Sequence, residues 1–141
     1  MRSTEVTQQT SASPATVWAR WVDVERWPEQ DDGMEWARLD GPLTVGTKIV
    51  MKPRGSREAS CRITEIVPLQ TFRTESALPL ARLRIDHEMS ADPDGTEFRH
   101  RLSMTGPLAW LFWRLFGRQL AASLPTMLAS IARLSELDHA H

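Results

Sequence analysis

The residues of this chain best placed to do chemistry are two histidines that break otherwise apolar faces. In ARLRIDHEMS-ADPDG-TEFRHRLSM (81–104), Leu83, Ile85, His87 and Met89 alternate with Arg82, Arg84, Asp86 and Glu88. After the turn, Phe98, His100, Leu102 and Met104 alternate with Glu97, Arg99, Arg101 and Ser103. Period-two alternation of this kind marks half-buried strands with one inner and one outer face. Imidazole changes charge near neutral pH, and an apolar pocket orients its ligand with a few polar groups. Three uses are open to the pair: a satisfied core contact, a ligand contact, or acid–base catalysis.

Charge pattern selects how the two strands align. If the turn is Asp92-Pro93-Asp94-Gly95, opposed residues have numbers summing to 187, which sets Glu88 against Arg99 and Asp86 against Arg101. A slip to 185 opposes Glu88 to Glu97, 189 keeps one attractive pair, and 188 turns the two apolar faces to opposite sides. The 187 register also sets Met89 opposite Phe98, Ile85 opposite Leu102, and His87 opposite His100. The two imidazoles are therefore expected side by side on the inner face. Two ligands without a carboxylate or thiol at ligand spacing do not make a metal site, and no cofactor is implied.

Other chemistry is sparse. The single Cys61 excludes an intrachain disulfide, fits a reducing cytoplasm, and reads as a small buried hydrophobe. Asp31-Asp32 reads as a solvated turn, and there is no phosphate loop, nucleophile elbow, paired-cysteine motif or HExxH. Absence of tyrosine removes the phenol that could serve as an acid. A net charge of −1 supplies no overall field for DNA or an anionic membrane, and Arg54, Arg57, Arg62, Arg99 and Arg101 are interleaved with acids as on a solvated sheet exterior. No signal peptide is expected in the polar N-terminus, and the nine apolar-rich residues LAWLFWRLF (108–116) are too few to span a bilayer.

The elements that must position the histidines follow from pattern. TEVTQQT (4–10) is an opening strand; Ser13-Pro14 then starts a helix whose Val17, Trp18, Trp21 and Val22 share one face, so those tryptophans read as core. Trp27-Pro28 ends a second short turn. Six strand-length runs follow between turn signals: MEWARL, TKIVMK, ASCRITEIV, TFRTES, ARLRIDHEMS and TEFRHRLSM. Gly106-Pro107 opens a helix to about Asp138, whose inner stripe is Trp113, Gly117, Leu120, Leu124, Met127, Ile131 and Leu134, with a kink expected near Pro125. Gly117 costs roughly 1 kcal/mol relative to alanine there, and either close sheet approach or room above a ligand accounts for it. The expectation is an α+β single domain over 1–141, with the long helix lying across a seven-stranded antiparallel sheet.

That order, with SPATVWARWVDVERWPEQ (13–30), LDGPLTVG (39–46) and GPLAWLF (106–112), resembles the SRPBCC superfamily of START-like, polyketide cyclase/dehydrase and lipid-transport proteins. The resemblance covers the whole chain and rests on fold markers rather than catalytic signatures. It implies a helix-grip fold, a curved sheet wrapped round the C-terminal helix, with an internal cavity for a hydrophobic or amphipathic small molecule. The expected ligand-binding residues are Ile85, His87, Met89, Phe98, His100, Leu102, Met104, Trp113, Gly117 and Leu120. The alternatives are a cyclase/dehydratase-type enzyme using His87 or His100 as acid or base, and a co-chaperone-like interaction module. The apolar start of the last helix (Leu108, Leu111, Phe112, Leu115) closes a cavity mouth or forms a homodimer contact.

Overall fold

The computed structural model describes residues Arg2 to Ala140. β1 (Arg2–Thr10) leads into α1 (Pro14–Val22), a 3-10 turn (Val24–Arg26) and the short α2 (Trp27–Gln30). Six strands follow: β2 (Met34–Asp40), β3 (Lys48–Pro53), β4 (Ala59–Val67), β5 (Thr71–Leu78), β6 (Ala81–Asp92) and β7 (Gly95–Thr105). They form a curved seven-stranded antiparallel sheet in the order β1-β7-β6-β5-β4-β3-β2. The chain closes with α3 (Ala109–Phe112), a π turn (Trp113–Gly117) and α4 (Arg118–Ala140), which packs on β1, β7 and α1.

Local chemistry sets the helix entry. Ser13 caps α1, its hydroxyl accepting from the Thr16 N–H at 3.4 Å, and Pro14 occupies the first turn, where no N–H is needed. One expectation is corrected at the next step: Trp27-Pro28 opens α2 rather than ending a turn, because proline suits a first helical turn as well as a terminus.

The β6–β7 register is the one the charges select, with His87 opposite His100, Glu88 opposite Arg99 and Asp86 opposite Arg101. Glu88 and Arg99 form an ion pair at 3.3 Å. Asp86 instead accepts from Arg73 on β5 at 2.5 Å, while Arg101 reaches Glu5 on β1 at 3.5 Å, so each charge finds a partner on its other neighbouring strand. Gly95 closes the hairpin at φ +145°, and a Cβ there would lie 2.2 Å from the Thr10 carbonyl oxygen. Glycine is required at that position.

The last helix departs from expectation in phase. Leu124 and Ile131 are buried as expected, but Leu128, Ala132 and Ser135 share the inner face. Leu120 is 39% exposed, and Met127 and Leu134 are half-buried. The π turn at Trp113–Gly117 is the reason: its wider spacing advances the buried stripe by about one residue, which a uniform 3.6-residue period does not anticipate. α4 runs on through Pro125, so the irregularity lies earlier than the proline marked it.

Candidate functional site

The inner face of β6 and β7 brings the two histidines together under α1. Their ring centroids are 4.3 Å apart, and Trp21 of α1 lies edge-on to both, at 5.4 Å from His87 and 5.7 Å from His100. Phe72 on β5 and Phe98 on β7 complete an aromatic wall. Trp21 is 1% exposed, His100 2% and His87 9%, so the pair is sealed on this side. Trp18 is half-buried and meets Phe72 edge-on at 6.3 Å. The three neighbouring tryptophans thus serve packing; Trp27 donates its indole N–H to the Trp21 carbonyl at 3.0 Å.

The pair is asymmetric in its hydrogen bonding. His87 Nδ1 lies 2.9 Å from the Phe72 carbonyl oxygen, which can only accept, so this nitrogen carries the proton and donates. His100 Nε2 is buried with no hydrogen-bond partner among the described residues, and so is Trp21 Nε1. Burial pushes the His87 pKa down to about 4 against the weaker raising effects of the Phe72 hydrogen bond and nearby Asp86. Burial and then the neighbouring His87 hold His100 well below the usual histidine range. Both rings are neutral at neutral pH. Buried polar atoms without partners are rare in folded chains; among the described residues they are His100 Nε2, Trp21 Nε1, Gln30 Oε1 and Ser135 Oγ, and the first two belong to one aromatic cluster.

The remaining expected residues divide by depth. Phe98, Leu102 and Met104 are fully buried and Met89 nearly so. Ile85, with its strand neighbour Leu83, is packed against the core yet only partly covered, as are Trp113 and Met127. The inner wall therefore keeps accessible apolar surface beside the pair. Leu120 does not belong to it: the shifted helix phase turns that side chain outward. Gly117 is explained by neither sequence-based reading, because an added Cβ would meet the Trp113 ring at 2.8 Å; the glycine makes room for the indole one turn before it.

Two clefts among the described residues lie near the ends of β6 and β7, and neither is lined by the histidines. One, of about 390 Å³, lies between Arg2, Met104, Gly106 and Trp110; the other, of about 200 Å³, lies at the other end of β6 and β7. Among the described residues no group of three metal-ligating side chains exists. No helix of the described chain is long and apolar enough to cross a membrane. Burial pushes the Cys61 thiol up to about 11, an inert thiol rather than a nucleophile.

Two features escaped the sequence reading. Trp21 was legible as core, but its contact with both imidazoles depends on where α1 crosses the sheet. Arg20, 2% exposed, pairs with Asp138 at 2.7 Å and Glu29 at 2.9 Å, fastening α1 to α2 and to the end of α4. Its only sequence signal was an arginine adjoining the buried face of α1.

The family model described as polyketide cyclase / dehydrase and lipid transport matches residues 1–136. The chain belongs to that family. No curated protein sequence matches it. Among solved structures it is similar to protein MLL2253 from Mesorhizobium loti, with 18% identity, TM-score 0.76, and coverage of 96% of this chain and 97% of that one. Protein NE0264 from Nitrosomonas europaea shares 14% identity with TM-score 0.76, over 99% and 97% of the two chains. The di-domain ARO/CYC StfQ of the steffimycin biosynthetic pathway shares 11% identity with TM-score 0.77; 99% of this chain covers 52% of that one. At such identities the likeness shows the fold, which is the helix-grip arrangement, and family membership supports a hydrophobic-ligand or cyclase role in general.

Proposed function

We propose that this chain binds a hydrophobic or amphipathic small molecule, lipid- or polyketide-like, between the sheet and the C-terminal helix. The apolar body of the ligand lies against the half-covered inner wall at Leu83, Ile85, Trp113 and Met127, and a hydroxyl or carbonyl group is met at the histidine pair. The observation that carries this reading is the buried, unpartnered Nε2 of His100 beside the equally unpartnered Trp21 indole N–H, among mostly apolar side chains. Ligand pockets have this composition: apolar walls with few polar groups that orient the guest. Because Trp21 covers the pair, the polar end of the ligand enters by displacing that ring or by passing along the Ile85 side.

Acid–base catalysis by the pair is less well supported. A general acid or base works best with a pKa near the operating pH, and both imidazoles are held well below it. As bases they are weak, and as acids they are already deprotonated.

The test is native mass spectrometry of the chain purified from its own source, together with titration by the neutral apolar fluorophore N-phenyl-1-naphthylamine. A retained apolar adduct, and probe uptake that falls in His100→Leu while the folding midpoint is kept, support the reading. A chain that carries nothing and takes up no probe overturns it.

A further inference from the structure

The end of the molecule where α3 meets the β5–β6 turn has a surface that ligand binding under the sheet does not use. Trp110 is 47% exposed, Leu115 65% and Leu80 67%, and all three sit at this end. The β5–β6 turn is held against the start of α3, because the Leu108 N–H donates to the Leu80 carbonyl at 3.0 Å and Gly106 abuts the same turn so closely that a Cβ would lie 2.7 Å from that oxygen. Leu80 occupies the turn in the left-handed region, at φ 54°, where a leucine is unfavourable and glycine or asparagine is usual. The fold thus holds a large apolar side chain at an exposed tip against its backbone preference.

Charge distinguishes what meets this face. From Gly106 to Ser135 the chain contains no acidic residue, although the whole chain carries a net charge of −1. Arg114 and Arg118 are exposed beside Trp110 and Leu115, and Arg2 lines the cleft of about 390 Å³ that Trp110 also borders. Among the described residues, none of these three arginines forms a salt bridge. Two copies meeting through this face would bring arginines together with no carboxylate between them. An anionic bilayer surface supplies the missing negative charge and accepts tryptophan and leucine at headgroup depth.

The geometry points to peripheral docking of this face, built on Leu80, Trp110, Leu115, Arg114 and Arg118, on an anionic lipid membrane. The absence of net positive charge does not oppose this, because surface potentials act within about a Debye length, roughly 8–10 Å, and the patch is local.

The test is co-sedimentation of the full chain with vesicles of phosphatidylcholine alone or with phosphatidylglycerol added, with sedimentation equilibrium of the chain alone as the control for self-association. Wild type is expected to partition onto the anionic vesicles far more than onto the neutral ones, and less at high salt. Arg114→Gln with Arg118→Gln is expected to weaken partition about 25-fold, at about fivefold per arginine. Leu115→Glu is expected to abolish it. Leu80→Gly, which relieves the backbone at that tip, is expected to keep or raise thermal stability while weakening partition. Wild type left in the supernatant with anionic vesicles, or Leu115→Glu and Leu80→Gly partitioning like wild type, overturns the proposal. So does a dimer abolished by Leu115→Glu without vesicle binding, which would assign the face to a second copy.

Discussion

Lowering the pH from 7 to 5 should destabilise this protein through its two buried histidines, and the size of the effect follows from their burial. In the unfolded chain each imidazole titrates at about 6.5, whereas in the folded chain His87 is pushed down to about 4 and His100 is also well below the usual range. The unfolded state therefore binds more protons between those values, so stability is full above about pH 6.5 and is lost as pH falls towards 4. At pH 5 an unfolded histidine is almost fully protonated while folded His87 is still mostly neutral, a difference of about 2 kcal/mol relative to pH 7 for that residue. His100 acts in the same direction, and the effect bears on the roughly 5–15 kcal/mol that holds a typical domain folded. Urea denaturation followed by tryptophan emission at pH 7, 6 and 5 measures it. Carboxylates titrate in both states and in all variants, so the informative quantity is the pH slope of wild type minus that of His100→Gln or His87→Asn. His87→Asn should flatten the fall between pH 7 and 5 by about 2 kcal/mol, and His100→Gln should flatten it in the same direction. Equal slopes in wild type and both variants would refute the argument, as would imidazole resonances titrating near 6.5 in the folded protein.

Trp21→Ala should cost about 3–5 kcal/mol by denaturant midpoint, since a fully buried indole against both imidazoles leaves a cavity. Gly117→Ala should destabilise by about 1–3 kcal/mol despite alanine's better helix propensity, because its methyl meets the Trp113 ring; a gain in melting temperature would contradict that packing. Arg20→Leu should raise hydrogen exchange at the end of α4 selectively, because Arg20 joins Asp138 to α1 and α2; unchanged exchange there would show the ion cluster holds nothing.

Strand positions and the β6–β7 register were legible because alternation and cross-strand charge constrain them twice over. His87 and His100 meet as the numbering required, and no other register kept both faces and both attractive pairs. The ion pairs were only half legible: Asp86 and Arg101 stand opposite each other, but each has a second neighbouring strand and binds there instead. The last helix shows where periodicity runs out. Its inner stripe was traced with a uniform period, and one π turn moved Leu120 out and brought Leu128, Ala132 and Ser135 in. Nothing in WRLFG announces a π turn, although Gly117 after Trp113 was the visible irregularity. The coverage of the pair by Trp21 was not legible at all, since it depends on the path of α1 across the sheet. For the same reason the sequence could not tell the sealed part of the inner face, at the histidines, from its half-covered part, at Leu83 and Ile85.

In the proposed function the histidine pair orients a guest held under the sheet. Long-range proton–nitrogen spectra of the imidazoles, recorded while N-phenyl-1-naphthylamine is titrated in, test this. Nε2 of His100 should shift in step with probe uptake, His87 should follow, and the exposed His139 should stay still. Probe binding that leaves both buried imidazoles unmoved would contradict it.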